Sequence, residues 1–106
     1  MKVNQFGIPL DRNGYAPPLI KTVHGHCLLC DRIDRPLQRH EVFHGPNRQK
    51  SKALGCWVTI CDECHAVLHA QPALDRQLKQ TMQYKCMAVY RWNVDDFRAA
   101  FGKSWI

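Results

Sequence analysis

Two short cysteine pairs constrain this chain more than any other feature: Cys27-Leu28-Leu29-Cys30 and Cys61-Asp62-Glu63-Cys64, with 30 residues between them. Each C-x-x-C is the right length for a tight turn that aims both sulfurs at one ion. Two such knuckles together make a tetrahedral four-cysteine zinc site. In a secreted protein the same cysteines would read as a disulfide framework, so the compartment decides between the two chemistries. The segment Met1-Lys2-Val3-Asn4-Gln5-Phe6-Gly7 lacks the continuous apolar stretch of a secretion signal, and no apolar run approaches the roughly 20 residues of a membrane span. The expectation is therefore a reducing cytoplasm, no membrane, and Cys27, Cys30, Cys61 and Cys64 as ligands of a structural Zn²⁺. A lone C-x-x-C would suggest redox chemistry, but the second knuckle and the lack of a βαβ pattern argue against it. Cys56 and Cys86 stand outside the knuckles and read as small buried apolar residues.

At 106 residues the chain supports one small domain, too little for a large cofactor-binding architecture. Residues 1–23 carry Gly7, Pro9, Asn13-Gly14 and Pro17-Pro18, and read as an extended N-terminal arm, loosely docked or flexible. The domain proper is then 24–106. Between the knuckles the pattern is strand-like, with a strand ending near Arg39-His40-Glu41-Val42-Phe43 and a short one over Cys56-Trp57-Val58-Thr59-Ile60. The loop from Gly45 to Lys52 joins them and contains Arg48, Lys50 and Lys52 with no acidic residue. After Cys64 the pattern turns helical, and Gln71-Pro72 interrupts it. Leu74, Leu78, Met82, Cys86 and Val89 or Tyr90 then recur at three- to four-residue spacing as a core stripe. A last helix has Asn93 as N-cap, Asp95 and Asp96 in its first turn, Phe97 and Phe101 one turn apart, and Gly102 as its stop. Trp105 and Ile106 are apolar enough to dock back on the domain. The fold class expected is a small, metal-stabilised α+β domain with C-terminal helices.

The cysteine site uses none of the six histidines. His65 and His69 are four apart on the predicted helix, so their imidazoles project from one face and can share an ion. Cys64 directly precedes His65, so the knuckle fixes where that helix starts. A third ligand must come from elsewhere, and His40 and His44 are the histidines inside the module. His24 and His26 read as exposed or as hydrogen-bond partners of the zinc thiolates.

The pattern Cys27-x-x-Cys30, His40-Glu41-Val42-Phe43 and Cys61-x-x-Cys64-His65-x-x-x-His69 resembles the HNH, or ββα-metal, endonuclease family in its zinc-knuckle form. The stretch from Trp92 to Lys103 is similar to the ending of small phage and prophage HNH proteins. The resemblance covers about residues 24–106. It implies a ββα-metal, treble-clef-like core and a metal-dependent DNA endonuclease or nickase, acting in the host cytoplasm if phage-encoded. His40, His65 and His69 would hold one divalent cation, Mg²⁺, Mn²⁺, Ni²⁺ or Zn²⁺, at the scissile phosphate of DNA. The residue after the first ligand is normally the histidine general base, and here it is Glu41. His44, three residues on, is the substitute, so both remain candidates. The family's middle asparagine would fall near Cys56. Arg39, Arg48, Lys50 and Lys52 would bind the phosphate backbone, in keeping with the net charge of +6. The alternative is a non-catalytic zinc module that binds nucleic acid or protein.

Overall fold

A computed structural model describes residues 2–106; Met1, the first residue of the predicted arm, lies outside them. The described residues form a two-stranded antiparallel sheet and four α-helices, a small α+β architecture. Strand β1 (Leu37–Glu41) pairs with β2 (Trp57–Cys61) in a register that sets Leu37 against Cys61, His40 against Val58 and Glu41 against Trp57. A two-stranded sheet is marginal by itself. It is stabilised here by what covers it: Val42, Phe43, Val58 and Ile60 enter one core with Leu68, Leu78, Met82, Cys86, Phe97, Phe101 and Trp105.

The predicted basic loop between the strands is largely helical. A 3-10 turn at Gly45–Asn47 leads into α1 (Arg48–Ala53). Its sequence, Arg-Gln-Lys-Ser-Lys-Ala, consists mostly of good helix formers, a propensity that the charge pattern masks. Ser51 is the one buried residue of α1; its hydroxyl donates to the Cys56 carbonyl and accepts from the Phe43 N–H, tying both strand ends to the helix.

Helix α2 (Asp62–Ala70) begins directly after β2, with Asp62 and Glu63 in its first turn where they complement the helix dipole. The interruption at Gln71-Pro72 is as expected: α3 (Pro72–Tyr90) starts with Pro72 in its first turn. Leu78, Met82 and Cys86 form the buried stripe, and the half-buried Tyr90 donates its hydroxyl to the Leu54 carbonyl. Leu74, expected in that stripe, is instead 38% exposed, because its turn of α3 faces the open groove beside Leu28 and Val67. Helix α4 (Val94–Phe101) has the expected Asn93 cap, completed by Asp96 into a reciprocal capping box, and Gly102 ends it at φ +83°. Trp105 docks on the domain: its ring stacks on Phe43 at 4.8 Å and its N–H is bonded by the buried Gln83. Among the described residues no helix is long and apolar enough to cross a membrane.

The arm is extended, as the turn residues suggest, but it is not loose. Asn4 donates to the Ala53 carbonyl, the Ala16 and Leu19 N–H groups to Lys52 and Gly55, and the Trp57 indole to Ala16. Phe6 stacks on Tyr90 at 4.7 Å. Gly55 makes this docking possible. It sits at φ +78°, and a Cβ there would lie 2.4 Å from the Pro17 carbonyl oxygen. Gly102 has a similar φ but nothing within 4 Å of a built Cβ. Gly102→Ala should therefore lose only the roughly 1–2 kcal/mol of a left-handed residue. Gly55→Ala should lose roughly 3 kcal/mol or more, because backbone overlap is added, and should expose the arm to limited proteolysis. Equal urea midpoints for the two variants would show that the arm contributes nothing to the fold.

Candidate metal centre and histidine cleft

Cys27 and Cys30 sit on a turn closed by hydrogen bonds between Cys27 and both Asp31 and Arg32, with Asp31 in the left-handed region at φ +62°. The Leu28 N–H donates to Thr59 of β2 and fixes this turn to the sheet. Cys61 ends β2 and caps α2, its sulfur accepting from the Cys64 N–H. Arg35 pairs with Asp62, and Arg32 with Glu63, joining the segment after the first knuckle to the start of the helix. The four sulfurs consequently lie within 4.8 Å of one another, placed to hold one metal ion. Cys30 Sγ and Cys61 Sγ are 3.8 Å apart, close to the roughly 3.8 Å edge of a tetrahedron with metal–sulfur bonds of about 2.3 Å.

The electrostatics of the cluster agree with a cation as its natural content. Burial opposes ionisation of Cys27, yet the N–H groups around its sulfur, from Cys61, Cys30 and Leu29, bring its pKa down to about 6. Burial and the neighbouring sulfurs push Cys64 well up. One thiolate forms readily and the last one does not, so four thiolates together require positive charge between them. All six cysteines are free thiols, and Cys56 and Cys86 are fully buried, as expected for apolar fillers. His26 is partly exposed and bonds Asp31 at 2.8 Å rather than a sulfur, and His24 is exposed.

A second group of side chains gathers where β1 meets α2. The antiparallel register brings His40 to the face on which α2 lies, and helical spacing aligns His65 with His69. Ring centres are 4.7 Å apart for His65 and His69, 5.1 Å for His40 and His65, 6.2 Å for His40 and His69, and 6.1 Å for His40 and His44. These four line an open cleft of about 500 Å³ with Arg39, Glu41, Gly45 and Arg48. The ring nitrogens are not drawn together as tightly as the sulfurs; among the described residues only the four cysteines bring three or more ligating atoms within 4.8 Å of one another.

His40 is 4% exposed, and its Nε2 is the single buried side-chain nitrogen or oxygen, among the described residues, without a hydrogen-bond partner. Such an atom costs about 1–3 kcal/mol if nothing satisfies it. Burial first, and then the proximity of His65, lower its pKa to about 4, so the ring is neutral near pH 7. His65 is likewise shifted down by burial and by His69. Its Nδ1 bonds Gln38 Oε1; donation to that carbonyl leaves Nε2 as the nitrogen with a free lone pair.

The two base candidates differ. Glu41 is buried and accepts from Arg48 Nε at 2.7 Å; burial opposes its ionisation, but the Arg48 guanidinium together with backbone and Tyr15 hydrogen bonding holds the carboxyl below its ordinary value. His44 is half-exposed at the cleft, with Nε2 3.7 Å from Asp75 Oδ2. Of the four predicted phosphate contacts, Arg39 and Arg48 line the cleft and Lys50 and Lys52 do not. Lys50 donates to the Ala100 carbonyl near the end of α4, and Lys52 lies over the Tyr15 ring. Arg39 also pairs with Asp11 and lies over Tyr15 and Trp57.

Gln38 and Asp75 are the cleft's neighbours that sequence reasoning missed. Gln38 had a usable signal, since it is two residues from His40 on β1 and so shares its face. Asp75 had none, because its position depends on how α3 folds back. Comparison with known proteins returned no family model, no curated protein and no solved structure that matches the chain.

If the four sulfurs hold a metal that staples the fold, a strong chelator should abolish helical circular dichroism, and Cys27→Ser should not fold at physiological temperature. Folding free energy of order 10 kcal/mol rests on such a site in small metal domains. A chelated protein that keeps its full spectrum and melting temperature would refute that role.

Proposed function

We propose that this chain is a metal-dependent DNA endonuclease or nickase with an HNH-type site, in which Cys27, Cys30, Cys61 and Cys64 hold a structural zinc and His40, His65 and His69 hold one divalent cation. The observation that carries the reading is the unpartnered, buried Nε2 of His40 at the floor of a cleft lined by two further imidazoles from one helix face. A neutral nitrogen with nothing to bond is a poor structural choice and a good ligand. Imidazoles sharing one tetrahedral ion with bonds of about 2.0–2.1 Å have ring centres roughly 5 Å apart; the His65–His69 and His40–His65 pairs are near this at 4.7 and 5.1 Å, and His40–His69 is wider at 6.2 Å. When bound, the cation supplies Lewis-acid stabilisation of charge on the phosphate and leaving oxygen.

The chain's own residues do the rest. Gln38 fixes the ring of His65. Arg39 and Arg48, at the rim, attract the phosphate backbone and hold it beside the histidines without reading its sequence. The general-base role falls to His44 rather than Glu41. Glu41 is committed to Arg48, and its lowered pKa makes it a weaker proton acceptor. His44 is accessible from the cleft, and imidazole is matched to proton transfer near neutral pH.

The test is nicking of supercoiled plasmid by zinc-loaded protein supplied with Mg²⁺, Mn²⁺, Ni²⁺ or Zn²⁺. Cleavage is expected with at least one ion, falling about 100-fold or more in His65→Ala, which removes a ligand of the cation and its several kcal/mol of charge stabilisation. His44→Ala should fall about 100-fold while Glu41→Gln retains most of the rate, given the 10²–10⁴-fold that a positioned base supplies. DNA binding with no cleavage under any ion, and one tightly held metal per chain, would replace the enzyme with a zinc-stapled nucleic-acid-binding module.

A further inference from the structure

We propose that Asp75, on the first turn of α3, is the positioning residue for His44, so that the helix following the β–β–α2 unit completes the site. The inference rests on the nuclease reading above. Pro72 cannot continue α2 and restarts the chain as α3 in a new direction. Gln71 closes α2 by donating to Val67, and its carbonyl receives the N–H groups of Leu74 and Asp75, so the turn is fixed from both sides. The first turn of α3 thereby comes against the segment after β1.

Asp75 is largely withdrawn from solvent, its side chain 19% exposed, and Oδ2 has two cationic or potentially cationic neighbours. Lys79 Nζ, one turn along α3, is 2.8 Å away, and His44 Nε2 is 3.7 Å away. A carboxylate at that place selects the His44 tautomer with the proton on Nε2 and leaves Nδ1 with the lone pair that accepts a proton from water. A separation of 3.7 Å is longer than a hydrogen bond, as catalytic contacts often are before substrate binds. Glu41 and Gln38 are committed elsewhere, Glu41 to Arg48 and Gln38 to His65.

Two measurements test the role together. In plasmid nicking, Asp75→Asn should lower kcat about 10- to 100-fold, part of what a positioned base supplies, with KM and bound metal unchanged, and Asp75→Glu should recover most of the loss. In ¹⁵N-resolved imidazole spectra of protein without DNA at fixed neutral pH, His44 should show the Nε2–H tautomer in wild type and a mixture in Asp75→Asn. Lys79→Ala breaks the same helical ion pair and should leave both readouts near wild type. If Lys79→Ala loses as much kcat as Asp75→Asn, or if wild type nicks and Asp75→Asn nicks equally fast with an unchanged tautomer, Asp75 has no positioning role. If wild type nicks nothing with any cation, the nuclease reading itself fails and the inference falls with it.

Discussion

Four sulfur atoms gathered from two distant turns are the constraint on which the rest of this structure depends. The β1–β2 sheet has only two strands, and the helices that cover it are short apart from α3. A core this small, with a two-stranded sheet at its centre, leaves the first knuckle held to β2 and α2 by one backbone hydrogen bond from Leu28, the Arg32 and Arg35 ion pairs and the meeting of the four sulfurs. Cys61 is the hinge of the arrangement because it does three things: it ends β2, caps α2 through its sulfur, and stands among the other three sulfurs. The direction of α2, and with it the direction of His65 and His69, follows from where that sulfur is held.

The histidine cleft inherits its geometry from this staple. His40 is on a strand paired to the one that ends at Cys61, and His65 immediately follows Cys64. A displacement of the knuckle would therefore move both sides of the cleft. The two centres are also opposite in electrostatic character. Around the sulfurs, backbone N–H groups help the first thiolate to form. In the cleft, burial and neighbouring imidazoles keep His40 neutral. The sulfurs thus include one thiol poised to ionise, and the cleft a buried imidazole that is neutral near pH 7.

Much of this was legible in the chain, and the reasons differ from place to place. Spacing was sufficient for Cys27, Cys30, Cys61 and Cys64, because a C-x-x-C turn is a local object and two of them need only meet. It was sufficient also for α4, whose Asn93 and Asp96 encode their own cap. It was not sufficient for the arm. Gly, Pro and Asn residues report turns but not destinations, and the docking depends on Gly55, whose missing Cβ makes room for the Pro17 carbonyl more than thirty residues away in sequence. The helix in the basic segment was hidden for a different reason: a run of positive charge suggests an exposed loop, whereas Ser51 is buried and ties α1 to both strand ends.

The basic residues show most clearly where charge counting stops. Arg39, Arg48, Lys50 and Lys52 are equivalent in a composition and differ in the fold. Lys50 satisfies a carbonyl near the end of α4, and Lys52 lies on Tyr15 of the arm, so these two hold the protein together and add to its field only at a distance. Arg39 and Arg48 remain at the cleft, yet each also has an internal acid, Asp11 and Glu41. Those pairs place the guanidinium groups without removing their hydrogen-bonding capacity, since each has five donors and one carboxylate uses only some of them. Glu41 thus has a physical role that does not require it to touch water or substrate. It neutralises and orients Arg48 at the rim of the cleft.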